Sequence, residues 1–419
     1  MPNRRSAVVE RRRHVCLRPT ELSKRAHLAS GRLRQGPPGT RRSAGKLETG
    51  PLLSPYNPHV QASSAGTTQG RLLGAMASGS DLLAALTATL AAVHEVATFG
   101  WAAVMAVDPR TLLPTAGVVE GFEPTACGPF WDCELSSAGY NKFTALARSS
   151  DPVATLHDAT AGKLQLSAAF SQLFQALGAG DELRAVFTLR DSCWGIASLL
   201  RRAEDGPFPR SEVDALRALC PLVGRVLHQA TVDGNALRGS RTAMLVVDPC
   251  GDIVHVTAEA RPLLDDMRGV RHIGVNASEE LGVLTALVAG ARYSRNNEPA
   301  STRLRTNSGA WYRVSAALTE SGDGHVAVVI EPARGGDLLP LVLESYGLTA
   351  REIDMVGCLA RGLASGEIAA ELHLSAHTVR DHIKAVMRKC DTRTRGELVA
   401  RLFAEHLRPE LEQSVHRTA

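Results

Sequence analysis

The sequence predicts a multidomain protein in which two α+β units precede an all-α C-terminal domain. At roughly 150 residues per domain, a chain of 419 residues is too long for one domain. Residues 80–333 alternate between runs of extended and helical periodicity, whereas residues 344–408 have helical periodicity only, with a short turn between two of the helices. The chain is 44% hydrophobic and 21% charged, which is typical of globular domains that bury cores of their own.

The first 75 residues differ in composition from the rest of the chain. They hold 14 Lys and Arg residues against three acidic residues, are rich in Gly, Pro and Ser, and have no sustained periodicity. Such a composition predicts a disordered basic leader. Translation that starts at Met76 is the alternative interpretation. A phosphate-binding loop is excluded here, because Leu47 follows Lys46 where a Ser or Thr would have to bind magnesium.

Cysteine spacing and hydropathy indicate in which cellular compartment the protein resides. None of the eight cysteines forms a Cys-x-x-Cys pair, which argues against a zinc ribbon and against a disulfide framework. The longest strongly apolar run, residues 82–93, is shorter than the roughly 20 residues that a membrane-spanning helix needs. We therefore expect a cytoplasmic protein with no membrane partner and no metal site.

Residues 80–230 form the first predicted α+β unit. Its expected elements are a helix over 82–93, strands over 101–107 and near 117–119, a helical stretch over 170–177, strands over 183–189 and 194–200, and a helix from Ser211 to Leu227. Ser211 begins this last helix in a pattern like a capping box. The order of elements resembles a GAF domain, and the resemblance is best from Trp194 to the final helix.

Residues 240–333 form the second predicted unit. Strands are expected over 243–248, 253–256, 301–305, 311–317 and 326–330, with a helix that opens at Glu259 and Ala260. The order is similar to that of a PAS domain, although residues 265–300 depart from that pattern. Gly335 and Gly336 are expected to form the linker to the last domain.

The C-terminal region predicts a helix-turn-helix. Thr349 is placed to cap a first helix, a second helix spans Gly366 to Leu372, and a third spans Thr378 to Lys389. A three-residue turn separates the last two, which lets the exposed face of the third helix lie in a major groove. The predicted core of this motif is Ile368, Ala369, Leu372, Leu374, Val379 and Ile383.

The same residues resemble the LuxR-type helix-turn-helix domain. The matching motifs are Leu348-Thr349-x-Arg351-Glu352, Arg361-Gly362-Leu363, Glu367-Ile368-Ala369, Leu372, Ser375, Thr378-Val379, His382-Ile383, Lys389 and Arg395. Two stretches depart from the family pattern. Ala364-Ser365-Gly366 lacks a lysine that would contact phosphate, and Cys390-Asp391 replaces a common Leu-Gly at the end of the third helix.

The resemblance implies which side chains contact DNA. Arg380, Asp381 and Lys384 occupy the positions that face base edges, while Thr378, Lys389 and Arg395 occupy positions that contact the backbone. Arg and Lys donate to guanine O6 and N7, and Asp accepts from cytosine N4. The alternative is that these residues form only a solvated basic face, paired with neighbouring glutamates.

The resemblance also implies partners. They are double-stranded DNA, a second copy of the chain, and RNA polymerase as a further candidate. The final helix over 397–406 would pair the two copies, or alternatively would pack only in the core of its own domain. A LuxR-type regulator is a bacterial protein that joins the nucleoid when it is bound to DNA. A chain with GAF-like and PAS-like units is expected to sense a small ligand, which the sequence leaves unnamed, and no cofactor is predicted.

Two alternatives remain at this point. Cys127, Cys133, His157 and Cys193 are residue types that can bind haem or respond to oxidation. A rival function is a signalling receptor or enzyme whose C-terminal helices contact only protein. No catalytic residues are predicted, because pairs such as His157-Asp158 lack a surrounding motif for a nucleophile and its base.

Overall fold

The computed structural model describes residues 81–136, 139–232, 237–238, 241–267, 270–273, 282–294, 297–320 and 322–406, together with Gly70, Leu72 and Gly74. Residues 1–69, Met76 and the predicted tail over 409–419 lie outside the described residues. Leu72 is helical and fully buried in the core of the first unit, so the folded region extends beyond the predicted limit at residue 75. Among the described helices, none has the length and apolar character needed to cross a bilayer.

The first unit is built on a six-stranded sheet. Its strands are β1 (Trp101–Val107), β2 (Pro114–Glu120), β3 (Val153–Thr155), β4 (Ala179–Leu189) and β5 (Ser192–Arg202), joined at one edge by β9 (Val270–Ile273) from the second unit. The order is β3-β4-β5-β1-β2-β9. All neighbours are antiparallel except β2 and β9, which run parallel.

The second unit has a sheet with the same topology. Its strands are β7 (Ala243–Val247), β8 (Ile253–Val256), β10 (Ala300–Arg305), β11 (Ala310–Leu318) and β12 (Val326–Pro332), in the order β10-β11-β12-β7-β8. A two-residue strand, β6 (Leu237–Arg238), pairs with β11. If β6 and β9 are left aside and the five remaining strands of each sheet are numbered in chain order, both sheets have the order 3-4-5-1-2.

Helices cover these sheets and form the C-terminal domain. They are α1 (Leu82–His94), α2 (Cys127–Leu135), α3 (Phe143–Leu146), α4 (Leu156–Ala159), α5 (Arg210–Val232), α6 (Ala260–Asp266), α7 (Gly282–Arg292), α8 (Gly335–Ser345), α9 (Ala350–Ala360), α10 (Ser365–Glu371), α11 (Ala376–Lys389) and α12 (Arg395–His406). The stretch Phe170–Phe174 is a π-helical segment, followed by one 3₁₀ turn. The fold is therefore α+β upstream and all-α at the C-terminus, as the sequence predicts.

Two local predictions were wrong. Helix α5 begins at Arg210, so Ser211 lies inside the helix and not at its cap. Gly335 and Gly336 do not form a linker but are the first residues of α8, whose first turn contains Asp337. The backbone N–H of Arg334 donates to the Asp337 carboxylate at 2.8 Å, which satisfies one group at this helix start.

The two sheets share one hydrophobic core. Buried residues of α2, including Trp131, and of α7, including Leu287, lie in the same cluster as residues of both sheets. A buried ion pair also joins the sheets. The guanidinium of Arg303 on β10 donates to both carboxylate oxygens of Asp108, at 2.7 and 2.5 Å. The two units are consequently packed as one body and not strung on a flexible connection.

Helix α8 belongs to two cores. Leu341 packs in the cluster beneath the first sheet, and Leu343 packs in the cluster of the C-terminal domain. Arg303 also donates to the backbone carbonyl of Asp337 in α8 at 3.0 Å. The helix therefore links the upstream sheets to the C-terminal domain through buried side chains.

Candidate nucleic-acid interface

The first helix of the C-terminal domain, α9, begins with a reciprocal cap. The hydroxyl of Thr349 accepts from the backbone N–H of Glu352 at 3.3 Å, and the Glu352 carboxylate accepts from the backbone N–H of Thr349 at 2.7 Å. These bonds satisfy two backbone donors that the first turn of a helix leaves free. The capping role predicted for Thr349 is confirmed.

The turn between α10 and α11 requires an unusual backbone conformation. His373 has φ of 54°, in the left-handed region that residues other than Gly and Asn adopt at a cost. The backbone N–H of Leu374 returns to the carbonyl of Ala369 at 2.9 Å, and Ser375 then caps α11 by accepting from the N–H of Thr378 at 3.0 Å. These bonds fix the direction in which α11 leaves the turn.

The apolar face of α11 is buried against α9 and α10. Val379 and Val386 are completely buried, and Ile383 is 2% exposed. Ile368 and Ala369 of α10 are buried in the same cluster, and the half-buried Leu372 and Leu374 pack against it. The six residues predicted as the motif's core thus lie together.

The residues predicted to face bases lie on the opposite side of α11. Arg380, Asp381 and Lys384 are all exposed. The Nε of Arg380 donates to the carbonyl of Ala376 at 3.2 Å. Asp381 is 2.9 Å from the ring Nδ1 of His377. His377 lies before the predicted start of the helix at Thr378 but within α11 as the structure has it.

The three residues predicted to contact the DNA backbone differ in their burial and in their hydrogen-bond partners. Thr378 is half-buried, and its hydroxyl is 2.8 Å from the Ser375 hydroxyl. Arg395, the first residue of α12, donates to the hydroxyl of Ser365 at 2.6 Å and so joins the starts of two helices. Lys389 donates from Nζ to the Glu352 carboxylate at 2.6 Å and is therefore engaged within the domain.

The ion pair of Lys389 and Glu352 connects the end of α11 to the cap of α9. Lys389 also donates to the carbonyl of Gly347 at 2.9 Å. The Glu352 side chain is 5% exposed. Burial by itself raises the pKa of Glu352, but the hydrogen bonds from Lys389 and Thr349 outweigh it and hold that pKa below its usual value. The pair has a structural role that sequence spacing did not indicate.

The departure at Cys390-Asp391 still ends α11 cleanly. Asp391 adopts φ of 52°, a conformation that Asp tolerates better than most residues. The N–H of Thr392 donates to the carbonyl of Met387 at 2.9 Å, which is the bond that closes a Schellman cap. Cys390 is buried and continues the apolar face.

The candidate redox residues upstream do not form a cluster. Cys193 is buried in β5, and burial raises the pKa of its thiol to about 12, so it stays protonated. Cys133 on α2 contacts the amide oxygen of Gln172, and His157 lies on the separate helix α4. Within the described part of the chain, no group of three His, Cys, Asp or Glu side chains could hold a metal ion.

The strongest polar cluster upstream is a closed network. The buried guanidinium of Arg184 donates to Glu182 at 2.7 Å and to Glu134 at 2.6 Å. The hydroxyl of Ser198 donates to Glu182 at 2.7 Å, and the Glu134 carboxylate accepts from the backbone N–H of Phe143 at 2.9 Å. The groups satisfy one another, as buried charges must, and the network ties α2 to the sheet.

Comparison with known proteins agrees with this geometry. Residues 346–402 match the family of bacterial regulatory proteins of the luxR type. This segment is a LuxR-type helix-turn-helix domain. The match begins at the end of α8 and includes α9, α10, α11 and most of α12, so it covers the whole candidate interface.

Several curated proteins are similar to part of the chain. The HTH-type transcriptional activator RamA of Corynebacterium glutamicum is 29% identical over 161 residues, which are 32% of this chain and 57% of that protein. The Probable transcriptional regulatory protein SgaR of Hyphomicrobium methylovorum is 38% identical over 114 residues, or 25% of this chain and 52% of that protein. The transcriptional regulatory protein YhcZ of Bacillus subtilis, uncharacterized, is 30% identical over 130 residues, or 30% and 56%.

The chain spans slightly more than half the length of these relatives. A crystal structure of Escherichia coli SdiA aligns with 81% of this chain and 96% of its own, at 13% identity and a TM-score of 0.29. Superposition at that score supports no conclusion about the fold. The similarity that matters is thus the one in the LuxR-type domain.

Proposed function

We propose that this protein is a sequence-specific DNA-binding transcriptional regulator whose helix α11 enters the major groove. The observation that supports this most is the division of α11 into two faces. One face is anchored by Val379, Ile383 and Val386, and the opposite face presents Arg380, Asp381 and Lys384 to solvent within a LuxR-type domain. A helix that is fixed on one side and polar on the other can enter a groove without rearrangement.

Each exposed side chain has a distinct proposed role. Arg380 and Lys384 would donate to guanine O6 and N7, and Asp381 would accept from the amino group of cytosine. Thr378 and Arg395 would contact phosphates at the two sides of the groove and set the register of the helix. A phosphate contact by Lys389 would compete with its ion pair to Glu352, so Lys389 contributes mainly by holding α11 in place.

The regulator is proposed to bind DNA as a homodimer. A single recognition helix reads only a few base pairs, and two half-sites related by a dyad give the specificity that a regulator needs. Pairing through α12 is the arrangement that the LuxR-type domain suggests. RNA polymerase is a further proposed partner, and the cytoplasm, with association to the nucleoid, is the proposed location.

The upstream units are proposed to be GAF-like and PAS-like receptors for a small ligand. Their common strand order supports two related receptor modules, and α8 provides a physical route from both sheets to the LuxR-type domain. The ion pair of Asp108 and Arg303, with its bond to the Asp337 carbonyl, lies on that route. Ligand binding in either unit would therefore act on the position of α8.

Selection of bound DNA from a random pool, with the full chain as bait, tests this function. We expect enrichment of a sequence with inverted symmetry, and an affinity that falls steeply as the salt concentration rises. The variant Lys384→Ala should keep non-specific binding but lose preference at one position of the site. The rival function, in which the C-terminal helices contact only protein, predicts no enrichment with either chain.

A further inference from the structure

His377 shares an exposed stripe of α11 with two of the proposed base-reading residues, Asp381 and Lys384. At about 100° per residue, His377, Asp381, Lys384 and Arg388 fall within roughly 60° of one another, on the side opposite Val386. All four are exposed, and Val386 is completely buried. The stripe is therefore the part of α11 that would reach deepest into a groove.

His377 and Asp381 lie side by side along this stripe. They are four residues apart, the spacing at which helical side chains are neighbours, and the ring Nδ1 is 2.9 Å from Oδ2 of Asp381. A hydrogen on Nδ1 would let the ring donate to the carboxylate across this distance.

We propose that His377 determines DNA specificity by positioning the Asp381 carboxylate for a cytosine amino group. This inference rests on the proposed function, because it assumes that α11 reads DNA. A lone carboxylate is repelled by the phosphates on both sides of a groove and is free to turn among several rotamers. An imidazole four residues earlier that donates from Nδ1 would hold the carboxylate in one rotamer.

The position of His377 in the helix supports this role. It is the second residue of α11, and the first turns of a recognition helix are those that contact base edges. Both side chains are mostly exposed, at 81% and 58%, so the pair adds little to the stability of the free protein. In a groove that excludes water the same contact is less screened, and its influence on the choice of base grows.

Three variants of the full chain separate positioning from a general effect on binding. Asp381→Ala removes the proposed acceptor, His377→Leu removes the donor, and His377→Asn keeps an N–H donor close to the place of Nδ1. For each variant, affinity is measured for the selected site and for all single-base changes within it. Arg351→Leu, which removes an exposed charge from α9, serves as the control for loss of charge away from α11.

We expect Asp381→Ala to relax discrimination at one base pair by roughly tenfold or more. His377→Leu should relax the same base pair several-fold, and His377→Asn should restore most of that preference. A chain that carries both His377→Leu and Asp381→Ala should behave like Asp381→Ala alone, since the histidine acts through the carboxylate. Arg351→Leu should leave the base preferences unchanged.

The outcomes distinguish this inference from the proposed function. If no variant or wild-type chain prefers any sequence, the proposed function itself fails. If Asp381→Ala relaxes one base pair but His377→Leu leaves that pair unchanged or relaxes another, the positioning role is overturned while DNA recognition stands. An unchanged preference in both Asp381→Ala and His377→Leu, with a sequence-specific wild type, would also overturn it.

Discussion

At the scale of single residues, the pair of Glu352 and Lys389 combines a helix cap with a tertiary contact. One carboxylate oxygen of Glu352 accepts both from the backbone of Thr349 and from Nζ of Lys389. The pair thereby fixes the end of the recognition helix relative to the start of α9. Its loss would loosen the helix without removing any group from the exposed face.

Replacing Lys389 with Met should lower the free energy of unfolding of the C-terminal domain by about 1–2 kcal/mol, because it removes two hydrogen bonds from a charged donor. Because the pKa of Glu352 is lowered by folding, its stabilising contribution is complete above the unfolded value near 4.5 and is lost as the pH falls through the folded value. Urea titrations between pH 6 and pH 3 should show a steeper loss for the wild type than for Glu352→Gln. Equal slopes would contradict this prediction.

The positive φ of His373 leads to a second prediction about the free energy of unfolding. Because φ is positive there, His373→Gly relieves a steric cost and should raise the free energy of unfolding by about 1 kcal/mol. Ala385→Gly, inside α11, should lower it by about the same amount, since glycine is unfavourable in a helix. Thermal denaturation of both variants gives the comparison. Destabilisation by His373→Gly would mean that its ring makes a contact that outweighs the strain.

The residue roles that could be predicted are those that depend on residues close together in the sequence. Thr349 and Glu352 are three positions apart, so their cap is legible from sequence. Lys389 lies 37 residues from Glu352, and no short-range pattern indicates that contact. His377 was missed because the predicted helix began at Thr378, one residue too late to include it.

At the scale of elements, the strands were predictable where extended runs are separated by turn residues. Strand β1 has the predicted bounds, and β5 and β11 differ by one or two residues at each end. Helix α7 was missed because eight of its eleven residues are buried, which leaves no polar face to mark a helical period. Strand β9 was missed because it is four residues long and pairs with β2 of the other unit.

The contact between the two sheets yields a prediction at this scale. Arg303→Met leaves the 2%-exposed Asp108 carboxylate without its partner and should cost about 3–5 kcal/mol of stability. Adding Asp108→Asn should recover part of that loss, because a neutral amide is less costly to bury than an unpaired charge. Urea denaturation followed by tryptophan fluorescence measures both. A double variant less stable than Arg303→Met would contradict this account of the pair.

At the scale of the whole molecule, the folded region includes residues that the sequence assigned to a leader. Leu72 packs among residues of α1, α5 and the first sheet and has no exposed surface. The composition of this region did not indicate that Leu72 is buried, because a single leucine among basic residues and glycines forms no hydrophobic pattern. Leu72 contributes to the fold through its packing in this core.

Truncation therefore gives a prediction that differs from the one based on composition. Leu72→Ala should lower the free energy of unfolding by about 2–5 kcal/mol, as expected for a large side chain removed from a core. A chain that starts at Met76 should lose a similar amount. The exposed Leu318→Ala is the matched control and should change stability little. Equal stability of the full chain and the chain from Met76 would restore Met76 as the limit of the folded part.

Helix α8 has a consequence for the operators that this protein can use. A DNA-binding domain on a flexible linker follows its half-site wherever it lies, so two such domains tolerate half-sites at variable distances. Here Leu341 and Leu343, two positions apart on one helix, are held in different cores, so the LuxR-type domain cannot swing freely. Two copies joined on DNA as proposed would then accept only a narrow range of half-site spacings, and moving the half-sites apart by half a turn of DNA would abolish joint binding. Under the proposed function, the spacing of half-sites would restrict the choice of operator as much as their base sequence does.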